Sequence, residues 1–248
     1  AGINLSLWNK ISTQPINPAQ QTYFNLGIVS AQNKLNGFSF NLLSNQVDGG
    51  SNGVQIVGLA NVVGEKSTGL QAAGLANVIG EYSNGMTLAG LANIVGESQH
   101  GVSIAGLVNL IGIDSKGLSI SGLGNAIGYN SIGVSIGGVF NIIGDDMKGL
   151  ALAGLINIAD KTYGLSASGL INISENTYGL SFAPANINSN DYYGLQTGIA
   201  NINTNRFYGL QAGLMNISIA HKGLQLGLIN YYNESLRGFQ LGLVNLNP

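Results

Sequence analysis

From residue 37 onward the chain is one short unit written repeatedly, and such a chain has few ways to fold. The pattern Gly-Leu-x-x-x-Gly-Leu-x-Asn recurs as GVQIVGLAN, GLQAAGLAN, GMTLAGLAN, GVSIAGLVN, GLSISGLGN, GVSIGGVFN, GLALAGLIN and GLSASGLIN, beginning at Gly53, Gly69, Gly85, Gly101, Gly117, Gly133, Gly149 and Gly164. Shorter copies, GLSFAPAN, GLQTGIAN, GLQAGLMN, GLQLGLIN and GFQLGLVN, begin at Gly179, Gly194, Gly209, Gly223 and Gly238, and a weaker one, GFSFNLLSN, at Gly37. A unit this short cannot bury a face by itself, so its stability must come from neighbouring copies. The 14 units are spaced by 14 to 16 residues and leave only residues 1–36 outside, a segment that holds Trp8, Pro15 and Pro18. We read residues 37–248 as one continuous repeat domain and residues 1–36 as an N-terminal cap or first strands.

The columns of the repeat define strands. Positions two and four are apolar, as in Leu118 and Ile120, while position three is small or neutral polar. That alternation has the period of a β-strand. After the second glycine come Leu, a variable apolar residue, Asn and two more usually apolar residues, as in Leu75, Ala76, Asn77, Val78 and Ile79. Most of the charge sits in connectors such as EKST, EYSN, ESQH, IDSK and DDMK, which read as turns. Helix is disfavoured, because each glycine in a helix interior costs about 1 kcal/mol relative to alanine.

Two all-β architectures accommodate this pattern. One is a β-solenoid of about fourteen coils of 14–16 residues, each coil stacked in parallel on the next. The alternative is a roughly 16-stranded antiparallel outer-membrane β-barrel, in which each unit is one strand and INLSLW and YFNLGIVS supply two more. Three features favour the solenoid. The Gly-to-Asn spacing falls from eight to seven in the five later units. Within one continuous strand that deletion would flip every following side chain, whereas at a corner it only tightens the turn. Like columns also stack on like only in parallel coils, as the places of Tyr163, Tyr178, Tyr193 and Tyr208 require. Finally, connector lengths do not alternate between short and long, as they do in outer-membrane barrels.

In the solenoid reading, Leu, Ile and Val fill the interior and the asparagines occupy a corner. Asn61, Asn77, Asn93, Asn109, Asn125, Asn141 and Asn157 share one column and are expected to form an amide ladder. The third column faces outward in this reading and is the candidate binding face. It comprises Gln55, Gln71, Thr87, Ser103, Ser119, Ser135, Gln196, Gln211, Gln225 and Gln240, a flat hydrogen-bonding row without charge. A second surface is the apolar residue before each Asn, including Ala92, Val108, Phe140, Ile156 and Ile171, which would mark a protein or membrane partner if it points outward.

Little here carries catalysis. Cysteine is absent, so disulfide frameworks, thiolate metal sites and thiol nucleophiles are excluded, and nine Lys+Arg against eleven Asp+Glu leave no basic field for nucleic acid. Only 8% of residues are charged, against about 25% in average usage. His100 and His221 lie in connectors and read as solvated turn residues. No phosphate loop or nucleophile elbow occurs. Glu65, Glu81 and Glu97 share a column, with Asp145 and Asp146 further on, but Lys66, Lys116 and Lys148 offset that edge and no calcium-binding repeat is present. Arg206 and Arg237 are the only arginines, too few for the basic and acidic cluster of a solenoid lyase. No catalytic residue, cofactor or metal ligand is therefore expected. No apolar run reaches the roughly 18 residues of a membrane helix, and no signal peptide is recognisable, which fits a mature chain that has lost one.

The units GLQAGLMN at Gly209, GLQLGLIN at Gly223 and FQLGLVN at Phe239 resemble the tandem units of surface-repeat proteins of Gram-negative bacteria. The resemblance implies placement in the cell envelope, at the outer membrane or cell surface, and brings no enzymatic activity with it. The expected function is that of a non-enzymatic exported structural or interaction module that presents a flat repeat surface. A protein partner or self-association is expected, with a membrane or glycan as further candidates. The barrel alternative implies a pore or a structural subunit of an envelope complex.

Overall fold

The computed structural model describes residues 2–8, 11–13 and 20–246. Pro15 and Pro18, placed in the cap by the sequence, and the final residues Asn247 and Pro248 lie outside the described residues. The fold is an all-β parallel solenoid of about 15 turns with coils of about 16 residues. It is not a barrel, and the reason lies in the strand directions. Ser67–Ala73 pairs in parallel with both Ser51–Val57 and Ser83–Ala89, setting Gly69 opposite Gly53 and Gln71 opposite Gln55 and Thr87. An up-and-down barrel needs antiparallel neighbours, so the pore that went with it falls as well.

The chain forms two compact units, residues 1–127 and 128–248. In the first, a coil consists of a long strand such as Ser67–Ala73, a Gly-Leu corner, a short strand such as Ala76–Ile79 and a polar turn. The asparagine is the second residue of the short strand and not a corner residue, with Asn77 in register between Asn61 and Asn93. Residues 21–32 form a strand that pairs in parallel with Lys34–Val47, so they continue the stack. Gly2–Trp8 pairs in parallel with that strand and antiparallel with Ile11–Ser12. The second unit repeats the plan, with Ile156–Ser168 stacked in register on Ile171–Phe182.

Glycine holds two positions in the coil for different reasons. Gly85, at the first position, has φ of 131°, a conformation that L side chains avoid. At the corner, a Cβ built on Gly90 would lie 2.0 Å from the carbonyl oxygen of Gly74 in the coil before. Coils can stack at the hydrogen-bonding distance there only if the corner carries no side chain.

The side of each strand that faces inward reverses the sequence expectation. Within one coil Ser67, Gln71, Ala73, Asn77 and Ile79 are buried, while Leu75 is 43% exposed and Val78 half-buried. The third column, expected as a binding face, lies in the interior. Gln55, Gln71, Thr87, Ser103, Ser119, Ser135, Gln196, Gln211 and Gln225 are all buried, and Gln240 is half-buried. The Leu columns, expected inside, form the outer surface. The cause is the asparagine. Its amide is inside and needs polar partners in the facing strand, and period-two alternation then carries Leu at positions two and four outward.

Candidate functional site

The interior is a hydrogen-bonded column. In the first unit Asn77 Nδ2 donates to Asn93 Oδ1 at 2.9 Å, Asn93 to Asn109 at 3.1 Å and Asn109 to Asn125 at 2.8 Å. Each amide also donates to a backbone carbonyl of the next coil, Asn93 to Ile104 and Asn109 to Ile120, both at 2.9 Å. The two strands of a coil join across the interior, where Ser103 Oγ donates to Asn109 Oδ1 at 2.9 Å. Asn61 accepts from Asn45 at 3.2 Å but donates across to Gln71 Oε1 at 3.1 Å. In the second unit the ladder runs from Asn141 to Asn157 and on through Asn172, Asn186, Asn201, Asn216 and Asn230 to Asn245, at 2.9 to 3.2 Å per step. A parallel glutamine ladder accompanies it. Gln211 donates to Gln196 at 2.9 Å, Gln225 to Gln211 at 2.8 Å and Gln240 to Gln225 at 2.7 Å. Buried amides paired this way polarise one another and stiffen the stack. Most are engaged with each other, Gln71 Nε2 and Asn77 Oδ1 being buried without a partner, and their burial leaves this column unsuited to a soluble ligand.

A second interior column stands two residues before each first glycine. In the 128–248 unit it carries Tyr192, Phe207 and His221, stacked at 4.9 and 5.1 Å between ring centroids. His221 is thus a core residue and not the solvated turn residue expected. Neither ring nitrogen has a hydrogen-bond partner, and burial alone pushes the imidazole pKa down to about 4, so the ring is neutral near pH 7. Burial also raises the Tyr192 phenol, whose hydroxyl donates to the Leu195 carbonyl at 2.6 Å. The sequence signal for this column was its constant offset from glycine, which reading it only as a connector concealed.

The outer surface divides sharply. Going round one coil of the second unit, the outward residues Leu165, Ala167, Leu170, Ile171 and Ile173 are all apolar, and Leu170 is 51% exposed. This arc covers the long strand, the Gly-Leu corner and the short strand. The apolar residues before asparagine, Ala92, Val108, Phe140, Ile156 and Ile171, are half-buried members of the same surface. Beside the corner, a shallow groove of about 900 Å³ runs over Leu152, Ala153, Phe182, Ala183, Pro184 and Ile199.

The remaining turn holds the charge. Lys148 pairs with Asp146 at 2.7 Å, and Arg206 with Asp191 at 2.5 Å. Hydrogen bonding from Lys148 holds the Asp146 carboxyl below its usual range. Between arc and turn stand Tyr163, Tyr178, Tyr193 and Tyr208, stacked at 5.1, 5.0 and 4.6 Å with their ring planes nearly parallel. Lys148 lies 5.5 Å from the ring centroid of Tyr163 at one end, and Lys222 lies 5.7 Å from that of Tyr208 at the other.

Glu65, Glu81 and Glu97 stack in one turn column, their backbones joined by hydrogen bonds of 3.1 and 3.0 Å. Among the described residues no three His, Asp or Glu side chains are grouped to hold a metal ion. His100 is half-buried and stands apart from any such group. Among the described residues no helix is long and apolar enough to cross a membrane. Comparison with family models, curated proteins and solved structures finds no match to this chain.

Proposed function

We propose that this chain is a non-enzymatic exported module of the bacterial cell envelope that works by offering a repeated surface to a partner, and that this surface is the apolar arc. The observation that carries the reading is the row of corner leucines. Leu59, Leu75, Leu91, Leu107 and Leu123 in one unit, and Leu155, Leu170, Leu214 and Leu228 in the other, are each 42 to 53% exposed. Monomeric soluble proteins rarely leave contiguous apolar patches above a few hundred Å² uncovered, and here apolar neighbours flank every one of these leucines. The polar column that might have bound a glycan supports no such role, since it is buried in the interior. Placement in the envelope rests on the likeness of the GLQxGLxN units to those of bacterial surface-repeat proteins. Fractionation of the cells that naturally make the protein tests the reading, with the chain expected in the envelope fraction. Recovery in the soluble cytosolic fraction, as a monomer, would overturn it.

A further inference from the structure

Resting on that reading, we infer that the occupant of the apolar arc is lipid hydrocarbon, so that the solenoid lies on a bilayer with its Gly-Leu corner immersed and its charged turn in water. The first argument is shape. The arc continues from one strand round the corner to the other, as in Leu150, Leu152, Leu155, Ile156 and Ile158. A flat partner, including a second copy of this chain, would cover one strand face and leave the corner and the opposite face wet. Hydrocarbon follows the whole curve.

The second argument is the backbone. A polar group facing hydrocarbon without a partner costs several kcal/mol, and corners are where such groups are usually stranded. Here the corner amides are used within the stack. Leu155 and Ile156 donate to the Val139 carbonyl at 2.9 and 3.0 Å, and Leu170 and Ile171 donate to that of Leu155 at 3.0 and 2.9 Å. These corners therefore offer hydrocarbon no unpaired backbone amide, and the arc beside them is apolar, with Thr197 as a polar residue within it.

The third argument is the border. Tyr163, Tyr178, Tyr193 and Tyr208 separate the arc from the charged turn, with lysines at both ends of the stack. Tyrosine prefers the level of lipid headgroups, where its ring is in apolar surroundings and its hydroxyl is wet, and lysine reaches from there into water. The corner groove over Ala153, Ala183 and Ile199 is open and mostly apolar, with Ser168 and Thr197 among its lining, as suits a surface that accepts acyl chains.

The test uses the whole chain and phosphatidylcholine vesicles. We expect the protein to float with the vesicles as well in about 1 M salt as in dilute buffer, since the attraction is apolar and not screened. A Leu155→Glu, Leu170→Glu double variant should lose binding by roughly tenfold or more, as charges on a lipid face do, while keeping its β-sheet circular dichroism. Should that variant fail to fold, a Trp8→Phe chain with an unaltered arc gives an independent readout. Its tyrosine fluorescence should be quenched by lipids brominated near the headgroup. Absence of both flotation and quenching overturns the inference. If the protein then forms oligomers that the double variant disperses, the arc is a protein interface and the proposed function survives. If it remains monomeric, the lipid inference fails alone, and recovery of the chain in the cytosolic fraction would be needed to overturn the proposed function as well.

Discussion

The long coils near Gly85 and the shorter coils after Gly179 fill one cross-section in two ways. In the long coils the residue two places past asparagine is aliphatic, as in Ile79, Val95 and Ile111, and the column two residues before the first glycine carries Ser67, Ser83, Gln99 and Ser115. In the short coils the same places hold Asn188, Asn203 and Ser218, against Tyr192, Phe207 and His221. The two columns touch, since Asn188 Nδ2 lies 3.3 Å from Thr177 Oγ1. Bulk has moved from one column to its neighbour, and the asparagine ladder runs through both regions. The comparison separates what the stack requires, an amide ladder and a bare corner, from what it tolerates, a redistribution of volume between adjacent columns.

The comparison breaks most easily at the corner. Gly90→Ala would press a Cβ onto the Gly74 carbonyl, and we expect a loss of about 3 kcal/mol or more in thermal unfolding. A melting temperature within a degree of the parent would show that coil spacing is not set there. The next largest effect tests the exchange of volume. Ile79→Asn introduces the short-coil residue opposite a small serine and should cost about 3 kcal/mol through a cavity and an unpaired amide. Adding Ser83→Tyr should recover part of that loss, and failure to recover any would refute the compensation.

The third effect depends on pH and belongs to the short coils alone. The His221 pKa is lowered from 6.5 to about 4 by burial, so the unfolded chain binds the proton more tightly than the folded one. The stability this neutral ring contributes is complete above pH 6.5 and is lost as pH falls towards 4, by about 3 kcal/mol at most. His221→Phe, which keeps the stack on Phe207, should flatten the stability profile in that window. A profile unchanged by the substitution would mean that other groups carry the acid sensitivity. The smallest effect sharpens what is shared. Asn109→Ala and Asn216→Ala should each cost about 2 kcal/mol, equal in the two regions within about 0.5 kcal/mol, as measured by denaturant titration. A clear inequality would show that the ladder is not the common element.

Much of this fold was legible in the sequence. The one-residue deletion between the third column and asparagine pointed to a corner there, and the recurrence of Tyr163, Tyr178, Tyr193 and Tyr208 pointed to parallel stacking. The asparagines were legible as a ladder for the same reason. The candidate site was not. Alternation assigns Gln71 and Leu70 to opposite faces, and the habit of placing leucine inside chose the wrong one. The corrective signal was present in Asn77: a buried amide needs partners across the interior, and only the uncharged Gln, Ser and Thr column could supply them. His221 was missed because its column shares a connector with solvated residues. Its neighbours Tyr192 and Phe207, at the same distance before glycine, were the available clue.

By itself the sequence determined the length of the coil, the identity of each column and the parallel register, because these follow from spacing along the chain. Only the tertiary structure decided which columns are inside. That choice depends on whether two facing strands can satisfy the asparagine amides between them, and spacing alone is silent on it. With Asn93 bonded to Ser103 Oγ at 3.2 Å across the interior, the polar columns close on each other and the leucines are left on the outside.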